Sequence, residues 1–187
     1  FSLDVLASDA SIEYGLGASM LRATPVVARH AARVSEKHGA YVVYDGGVRW
    51  GVDARRLGSV FFLPFEHFVH IFSVMARHPA HINFIEGQVF VMVLLWISRS
   101  KQRHATRIVV LCDASVWTGA AAKSKSRGSP GLTHVPIRVA ALEMAIDVLI
   151  HIVLAPSAEN PSDLLSRGIR TNGVAVPAPA SQAPGRS

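Results

Sequence analysis

Two acidic residues stand where a carboxylate is either costly or well placed to bind a ligand. Glu86 falls on the same helical stripe as Ile82 and Val89, which directs its carboxylate toward the apolar side of its predicted helix. Asp113 directly follows the aliphatic run 107–112, at the carboxyl end of a predicted strand, where open α/β sheets place their ligand sites. A buried carboxylate is costly unless a cation or hydrogen-bond donors compensate it.

Two further acids complete the candidate set. Asp9 lies on one face of a predicted first strand, and Asp163 lies in the first turn after Asn160 and Pro161. Carboxylate oxygens are the ligands that hard divalent ions such as Mg²⁺ prefer. Four of them crowded together without a cation would repel one another and raise their own pKa values. Any site at which such acids converged would therefore need a compensating cation.

Each acid also has a simpler explanation. Glu86 and Asp163 both follow an asparagine by three residues, so either could be the third helical residue of a capping arrangement. Asp113 could begin a turn, and Asp9 could be a surface strand residue.

The composition is that of one globular domain. The chain has 187 residues, half of them apolar, and 19 Lys and Arg against 13 Asp and Glu give a net charge of +6. The single cysteine, Cys112, excludes an internal disulfide framework and a Cys-rich zinc module. The longest apolar stretch, 84–97, contains Glu86 and is shorter than the roughly 20 residues of a bilayer span. We expect no membrane helix, and the first residues are typical of a fragment of a longer product rather than of a signal peptide.

Hydrophobic periodicity and turn signals predict an α/β fold, a mixed sheet with helices packed on it. The predicted strands are 3–10, 15–22, 107–112, with a central position, and 151–154, together with a hairpin of 40–44 and 48–52. The predicted helices are 25–38, 64–77, 83–97, 115–124, 136–149 and one that Asn160 caps and Pro161 opens. We expect Trp117 in the core rather than against nucleic acid, and Gly87 within its helix suggests either a close backbone approach or sequence drift.

Several short segments resemble the ribonuclease H domain attached to reverse transcriptases of retroelements. They are Ser8–Ser11 with Gly15–Ala18, His81–Glu86, Val109–Asp113 and, as the most specific, Pro156–Gly168 with its Asn-Pro, Asp and Ser-Arg-Gly. The segment Lys123–Ser129 also resembles a basic stretch that follows the third acid in such elements.

The resemblance implies a fold, a reaction and a ligand set. It implies a ribonuclease H-like domain over 1–170 with an enlarged or divergent segment at 23–79. The Pro- and Ala-rich residues 171–187 have no helical or alternating period, so we expect them to form a disordered tail. Asp9, Glu86, Asp113 and Asp163 would be catalytic and would bind two Mg²⁺ ions, with Mn²⁺ as an alternative. The substrate would be the RNA strand of an RNA–DNA hybrid, cut by hydrolysis. The partner would be an N-terminal reverse transcriptase domain of the same polyprotein, and the location intracellular, in the cytoplasm or the nucleus.

Five residues are expected to contact nucleic acid: Lys123, Lys125, Arg127, Asn160 and Arg167. A second basic cluster precedes the strand at 107–112 and consists of Arg99, Lys101, Arg103 and Arg107. Both basic clusters could contact phosphates, and both could equally be solvated loop charges.

The match departs from the family in two places. The loop 155–159 has no histidine, and Ala114 follows the third acid where the family commonly has Asn. These departures permit an alternative, a catalytically inactive ribonuclease H-like remnant with a structural or nucleic-acid-binding role. A third possibility keeps the fold with an integrase-like or exonuclease substrate, and the Ser-Arg-Gly ending argues against it.

Overall fold

A computed structural model describes residues 1–33, 35, 63, 67–78, 80–114, 116–118, 130–155, 157 and 160–169. These residues form a five-stranded mixed sheet flanked by helices. The strands are β1 (Asp4–Ala10), β2 (Gly15–Arg22), β3 (Val69–Met75), β4 (Thr106–Cys112) and β5 (Val148–Leu154). The helices are α1 (Pro25–Arg33), α2 (Ile82–Ser98), α3 (Pro130–Ile146) and the short α4 (Asp163–Ser166).

The sheet has the strand order β3-β2-β1-β4-β5. The strands β1, β2 and β3 are antiparallel neighbours, whereas β4 runs parallel to both β1 and β5. The α/β fold class predicted from the sequence is confirmed. The strand β4 lies inside the sheet as predicted, because its aliphatic residues are buried on both faces.

Helices cover the two faces of the sheet. Helices α2 and α3 pack against one face, where Leu6 and Val110 belong to a core that includes Phe90 and Trp117. Helix α1 covers the other face and buries Ala28, Ala31 and Ala32 in the core that contains Val5 and Val109. Its small residues allow the helix to approach the strands closely.

One predicted helix is a strand. The sequence predicts a helix over 64–77, but Val69–Met75 forms β3 at the edge of the sheet and pairs with β2. Its β-branched and aromatic residues suit a strand, and Ser73 ties the strand to α4 by donating to the carbonyl oxygen of Leu165 at 2.7 Å. The segment 23–79 therefore supplies a sheet strand as well as α1.

Two helix boundaries near the predicted turns also differ. Helix α1 ends at Arg33, and Ser35 is no longer helical; its hydroxyl donates to the carbonyl oxygen of Ala32 at 2.7 Å. The predicted helical residues 36–38 lie outside the described residues. Helix α3 runs from Pro130 to Ile146 instead of over 136–149. The residue that ends it is Asp147, which has a positive φ of 51°.

The last strand and the last helix also have different limits. The strand β5 begins at Val148 instead of 151, because the whole segment 148–154 pairs with β4. The Asn160 side chain accepts a hydrogen bond from the backbone of Ser162, which forms a turn, and α4 begins only at Asp163. Asn160 therefore caps the turn that precedes the helix.

Some predictions fall outside the described residues. These are the hairpin of 40–44 and 48–52, the basic residues Lys123, Lys125 and Arg127, most of the helix predicted over 115–124, and the tail 171–187. In the described ranges, no helix has the length and apolar character that a bilayer span requires.

Candidate active site

The four acids predicted from the sequence line one cavity of about 380 Å³. Asp9 is near the end of β1, Glu86 is in α2, Asp113 follows β4, and Asp163 is the first residue of α4. Asp9, Glu86 and Asp163 are 3%, 4% and 5% exposed, and Asp113 is partly exposed. The remaining lining residues are Ala10, Ile82, Asn83, Ala114, Val116, Ser157 and Arg167.

The parallel pairing of β1 and β4 brings Asp9 and Asp113 together. Ser8 lies opposite Cys112 in the register. Asp9 and Asp113 are the next residues in the chain, so they lie side by side at the carboxyl ends of the two parallel strands. Glu86 reaches this end of the strands from α2. The first residues of that helix, Ile82 and Asn83, also line the cavity, so the helix begins next to it. The carboxyl ends of parallel strands are where α/β sheets commonly hold ligands.

Serine hydroxyl groups and one asparagine dock α4 on the sheet. The Ser162 hydroxyl donates to the carbonyl oxygen of Ala7 at 2.9 Å and lies 2.9 Å from the Ser19 hydroxyl. The Asn160 amide donates to the carbonyl oxygen of Ser8 at 2.9 Å. Since each contact reaches β1 or β2, α4 is held at a fixed place and carries Asp163 to the cavity.

Asn160 therefore has a structural role, because it joins the segment before α4 to β1. It is 4% exposed, and its amide group bonds to Ser8 and to Ser162. The contact with nucleic acid predicted for it stays a prediction, and this burial favours the structural role.

Burial and mutual repulsion keep protons on two of the acids. Burial first, and then the charge of Asp113, raise the pKa of Asp9 to about 8. Burial, followed by the charges of Asp9 and Asp113, raises the pKa of Glu86 to about 9. A cation bound at these carboxyls would favour their charged forms and displace the protons.

Two buried carboxylate oxygens have no hydrogen-bond partner among the described residues. They are Oε2 of Glu86 and Oδ1 of Asp113. Buried polar atoms are normally satisfied, so an unsatisfied pair in one cavity indicates a missing ligand. Oxygen donors of this charge fit hard divalent ions such as Mg²⁺ and Mn²⁺, and Asp9, Glu86, Asp113 and Asp163 are the residues that would hold them.

Two residues that the sequence does not predict as site residues lie next to the acids. The Ser166 hydroxyl donates to Oδ2 of Asp9, and its oxygen also lies 2.8 Å from the carbonyl oxygen of Asp163. Ligand atoms of Glu86, Cys112 and Asp113 all lie within 4.8 Å of one another, and burial raises the pKa of the Cys112 thiol. The Ser-Arg-Gly motif contained the only sequence signal for Ser166, because no pattern predicts which strand residue a serine in a short helix will contact.

Arg167 forms a bidentate ion pair with Asp163. Its Nε lies 3.1 Å from both carboxylate oxygens, and a terminal guanidinium nitrogen lies 2.9 Å from Oδ1. This pairing raises the pKa of the guanidinium group. The side chain is 52% exposed and lines the cavity, so its remaining donors are available to a ligand at the cavity mouth.

Glu86 is not part of a helix cap. Its helix is capped by His81, whose Nδ1 accepts a hydrogen bond from the backbone of Asn83 at 3.3 Å. Behind Glu86, a Cβ atom on Gly87 would lie 2.6 Å from the Val135 side chain and 3.1 Å from the Trp117 ring. The close approach predicted at Gly87 and the core position predicted for Trp117 are both confirmed.

The second basic cluster lies away from the acids. Arg99 follows the far end of α2, about 20 Å along the helix from Glu86 at 1.5 Å per residue. Arg107 lies in β4 about 20 Å from Asp113 at 3.3 Å per residue. Arg103 bonds to Asp4 at 3.3 Å and stacks on Trp96 at 3.8 Å. This cluster cannot contact the phosphates next to the four acids.

No family model matches the sequence, and no curated protein matches it. Two solved structures are similar to this chain. The N-terminal RNase H domain of a Mycobacterium tuberculosis protein, solved as a fusion with maltose-binding protein, is 15% identical with a TM-score of 0.49, over 88% of this chain and 95% of that one. RNase H1 from the halophilic archaeon Halobacterium salinarum is 11% identical with a TM-score of 0.45, over 89% of this chain and 97% of that one. These similarities do not establish an activity for this chain.

Proposed function

We propose that this chain is a metal-dependent endonuclease that hydrolyses the RNA strand of RNA–DNA hybrids. The proposal rests chiefly on the convergence of four acids on one cavity, where Oε2 of Glu86 and Oδ1 of Asp113 have no hydrogen-bond partner among the described residues. A purely structural cluster would be expected to satisfy these oxygens or to replace the acids, because unpaired buried carboxylates destabilise a fold.

The acids would act as the ligands of two divalent ions. When bound, such a pair of ions activates the attacking water and stabilises the departing oxygen of a phosphodiester. The protein residues set the geometry of the site. Asp9 and Asp113 are fixed by the strand register, Glu86 closes the site from α2, and Asp163 is oriented by Arg167. The buried walls around these acids lower the local dielectric and so strengthen the attraction of the site for cations.

The hybrid would bind through its phosphates and ribose groups. Lys123, Lys125 and Arg127 follow the third acid in the sequence, and Arg167 stands at the cavity. Contacts from such residues to phosphates position a nucleic acid without reading its sequence. Ribose 2′-hydroxyl groups would distinguish the RNA strand from DNA.

The parent molecule would be a retroelement polyprotein with a reverse transcriptase domain before this chain. The support for this part of the proposal is the resemblance of Pro156–Gly168 to the retroelement members of the family.

Cleavage of a labelled RNA–DNA hybrid tests the proposal. With Mg²⁺ we expect RNA products that end in a 3′-hydroxyl, and we expect Asp113→Asn to slow cleavage by about 100-fold or more, because it removes a charged metal ligand with little change in volume. Asp147→Asn is the matched control. Asp147 is exposed before the amino end of β5, at the opposite end of the parallel strands from the acids, and asparagine tolerates its positive φ of 51°.

Two results would contradict the proposal. A hybrid that the unmodified protein binds in a gel but leaves intact with Mg²⁺ and with Mn²⁺ would favour the inactive nucleic-acid-binding module. Preferential cleavage of duplex DNA would favour a different nuclease with this fold.

A further inference from the structure

Ser166 contacts the carboxylate of Asp9 and the backbone of Asp163 from a single buried position. The residue is fully buried, and its hydroxyl donates to Oδ2 of Asp9, which is far away in the sequence. The Ser166 hydroxyl oxygen also lies 2.8 Å from the backbone carbonyl oxygen of Asp163, in the same short helix. The hydroxyl has one proton for these two acceptors. When Asp9 is ionised, its charged oxygen is the stronger acceptor.

Ser162 provides a natural comparison on the same segment. It is also fully buried, and its hydroxyl bonds to the carbonyl oxygen of Ala7 and to the Ser19 hydroxyl. Neither of these two partners is an acid of the cavity. The two serines therefore make similar contributions to docking α4 on the sheet, but only Ser166 contacts an acid of the cavity.

We infer that Ser166 is a positioning residue that holds Oδ2 of Asp9 and so presents the other carboxylate oxygen to a divalent ion in the cavity. This inference rests on the proposed function and deepens it. A carboxylate with one oxygen held by a donor loses the freedom to rotate, so less ordering is needed when an ion binds. Because the serine belongs to α4, the same contact fixes the distance between Asp9 and Asp163.

The metal affinity of the protein without nucleic acid tests the inference. Mn²⁺ binding to the full chain is measured by calorimetry for the unmodified protein and for Ser166→Ala, Ser166→Thr and Ser162→Ala. We expect Ser166→Ala to raise the dissociation constant for Mn²⁺ by about 10-fold to 100-fold, because the loss of a partner that orients a metal ligand commonly weakens binding by that factor. Ser166→Thr retains the hydroxyl group and should recover most of the affinity. Ser162→Ala removes a docking contact of α4 but leaves the contact with Asp9, so it should cause only a small part of the loss seen in Ser166→Ala.

Thermal unfolding in EDTA separates positioning from folding. Both alanine variants lose a buried hydrogen bond and should be destabilised to a similar extent, so a loss of affinity confined to Ser166→Ala cannot come from instability. Equal affinities of Ser166→Ala and the unmodified protein would overturn the inference, as would equal losses in the two alanine variants.

The hybrid cleavage assay distinguishes this failure from failure of the proposed function. Cleavage by the unmodified protein together with unchanged Mn²⁺ affinity in Ser166→Ala would overturn the positioning role alone. A selective loss of Mn²⁺ affinity in Ser166→Ala without any cleavage by the unmodified protein would support the positioning role and count against the nuclease. Failure of the unmodified protein to bind Mn²⁺ would overturn both.

Discussion

Asp9 and Glu86 retain protons at a pH at which ordinary carboxyl groups have lost them. Their pKa values of about 8 and about 9 compare with 3.8 and 4.5 for the free groups, chiefly because both are buried. The position of Glu86 on an apolar stripe predicts its burial from the sequence alone. The donor that Asp9 receives from Ser166 could not be predicted, because it depends on how α4 docks against β1.

The two raised pKa values predict that the metal-free protein becomes less stable as the pH rises. Well below pH 3.8 both groups are protonated in the folded and the unfolded chain. Above that, the unfolded chain releases protons that the folded chain keeps until about pH 8 and 9, so unfolding is increasingly favoured across this window. We therefore expect the free energy of unfolding, measured by urea titration in EDTA, to be lower at pH 8 than at pH 5.

Glu86→Gln provides the matched variant for this measurement. The amide cannot ionise, so the variant should lose less stability between pH 5 and pH 8 than the unmodified protein does. Saturating Mg²⁺ should stabilise the unmodified protein more at pH 8 than at pH 5, because the ion binds the ionised acids. An equal pH dependence in the two proteins would contradict the assignment of a raised pKa to Glu86.

At the scale of elements, the site depends on how closely α4 approaches the sheet. A Cβ atom on Gly17 of β2 would lie 2.5 Å from the backbone nitrogen of Ser166 and 2.7 Å from the Leu165 side chain. The Gly15–Ala18 segment was selected from the sequence by its resemblance to the family, and the structure supplies a steric reason for this glycine. The strand β3 could not be predicted in the same way, since its pairing with β2 is a long-range contact that local periodicity does not contain.

We predict that Gly17→Ala destabilises the protein more than Gly87→Ala does. The methyl group at 17 meets backbone that cannot move aside, and overpacking of this kind costs about 1–3 kcal/mol. The methyl group at 87 meets the side chains of Val135 and Trp117, and the gain in helix propensity, up to about 1 kcal/mol, offsets part of that clash. Chemical unfolding at fixed pH gives both free energies.

Hydrogen exchange locates the effect of Gly17→Ala. The amide of Ser166, which donates to the carbonyl oxygen of Ser162 at 3.0 Å, should lose protection first. A variant with unchanged stability and unchanged protection at Ser166 would show that α4 does not require this close approach.

At the scale of the whole molecule, a chain with a net charge of +6 surrounds an acidic cavity. The positive charge attracts a polyanion, whereas the cavity repels its phosphates unless divalent ions are bound. The sequence predicts this charge balance but cannot show which basic residues lie near the acids. The structure separates Arg99, Lys101 and Arg107 from the cavity by the lengths of α2 and β4.

This separation allows a prediction about hybrid binding at equal net charge. We expect replacement of Lys123, Lys125 and Arg127 by alanine to weaken binding and to reduce the slope of log affinity against log salt by about 1 for each lost phosphate contact, because each contact releases counterions. Replacement of Arg99, Lys101 and Arg107 removes the same charge at the far end of the sheet and should change the slope much less. Both triple variants also carry Asp113→Asn, and hybrid binding is titrated in Ca²⁺, so that the hybrid stays intact. Equal slopes in the two triple variants would show that net charge, and not a local contact after the third acid, governs the association.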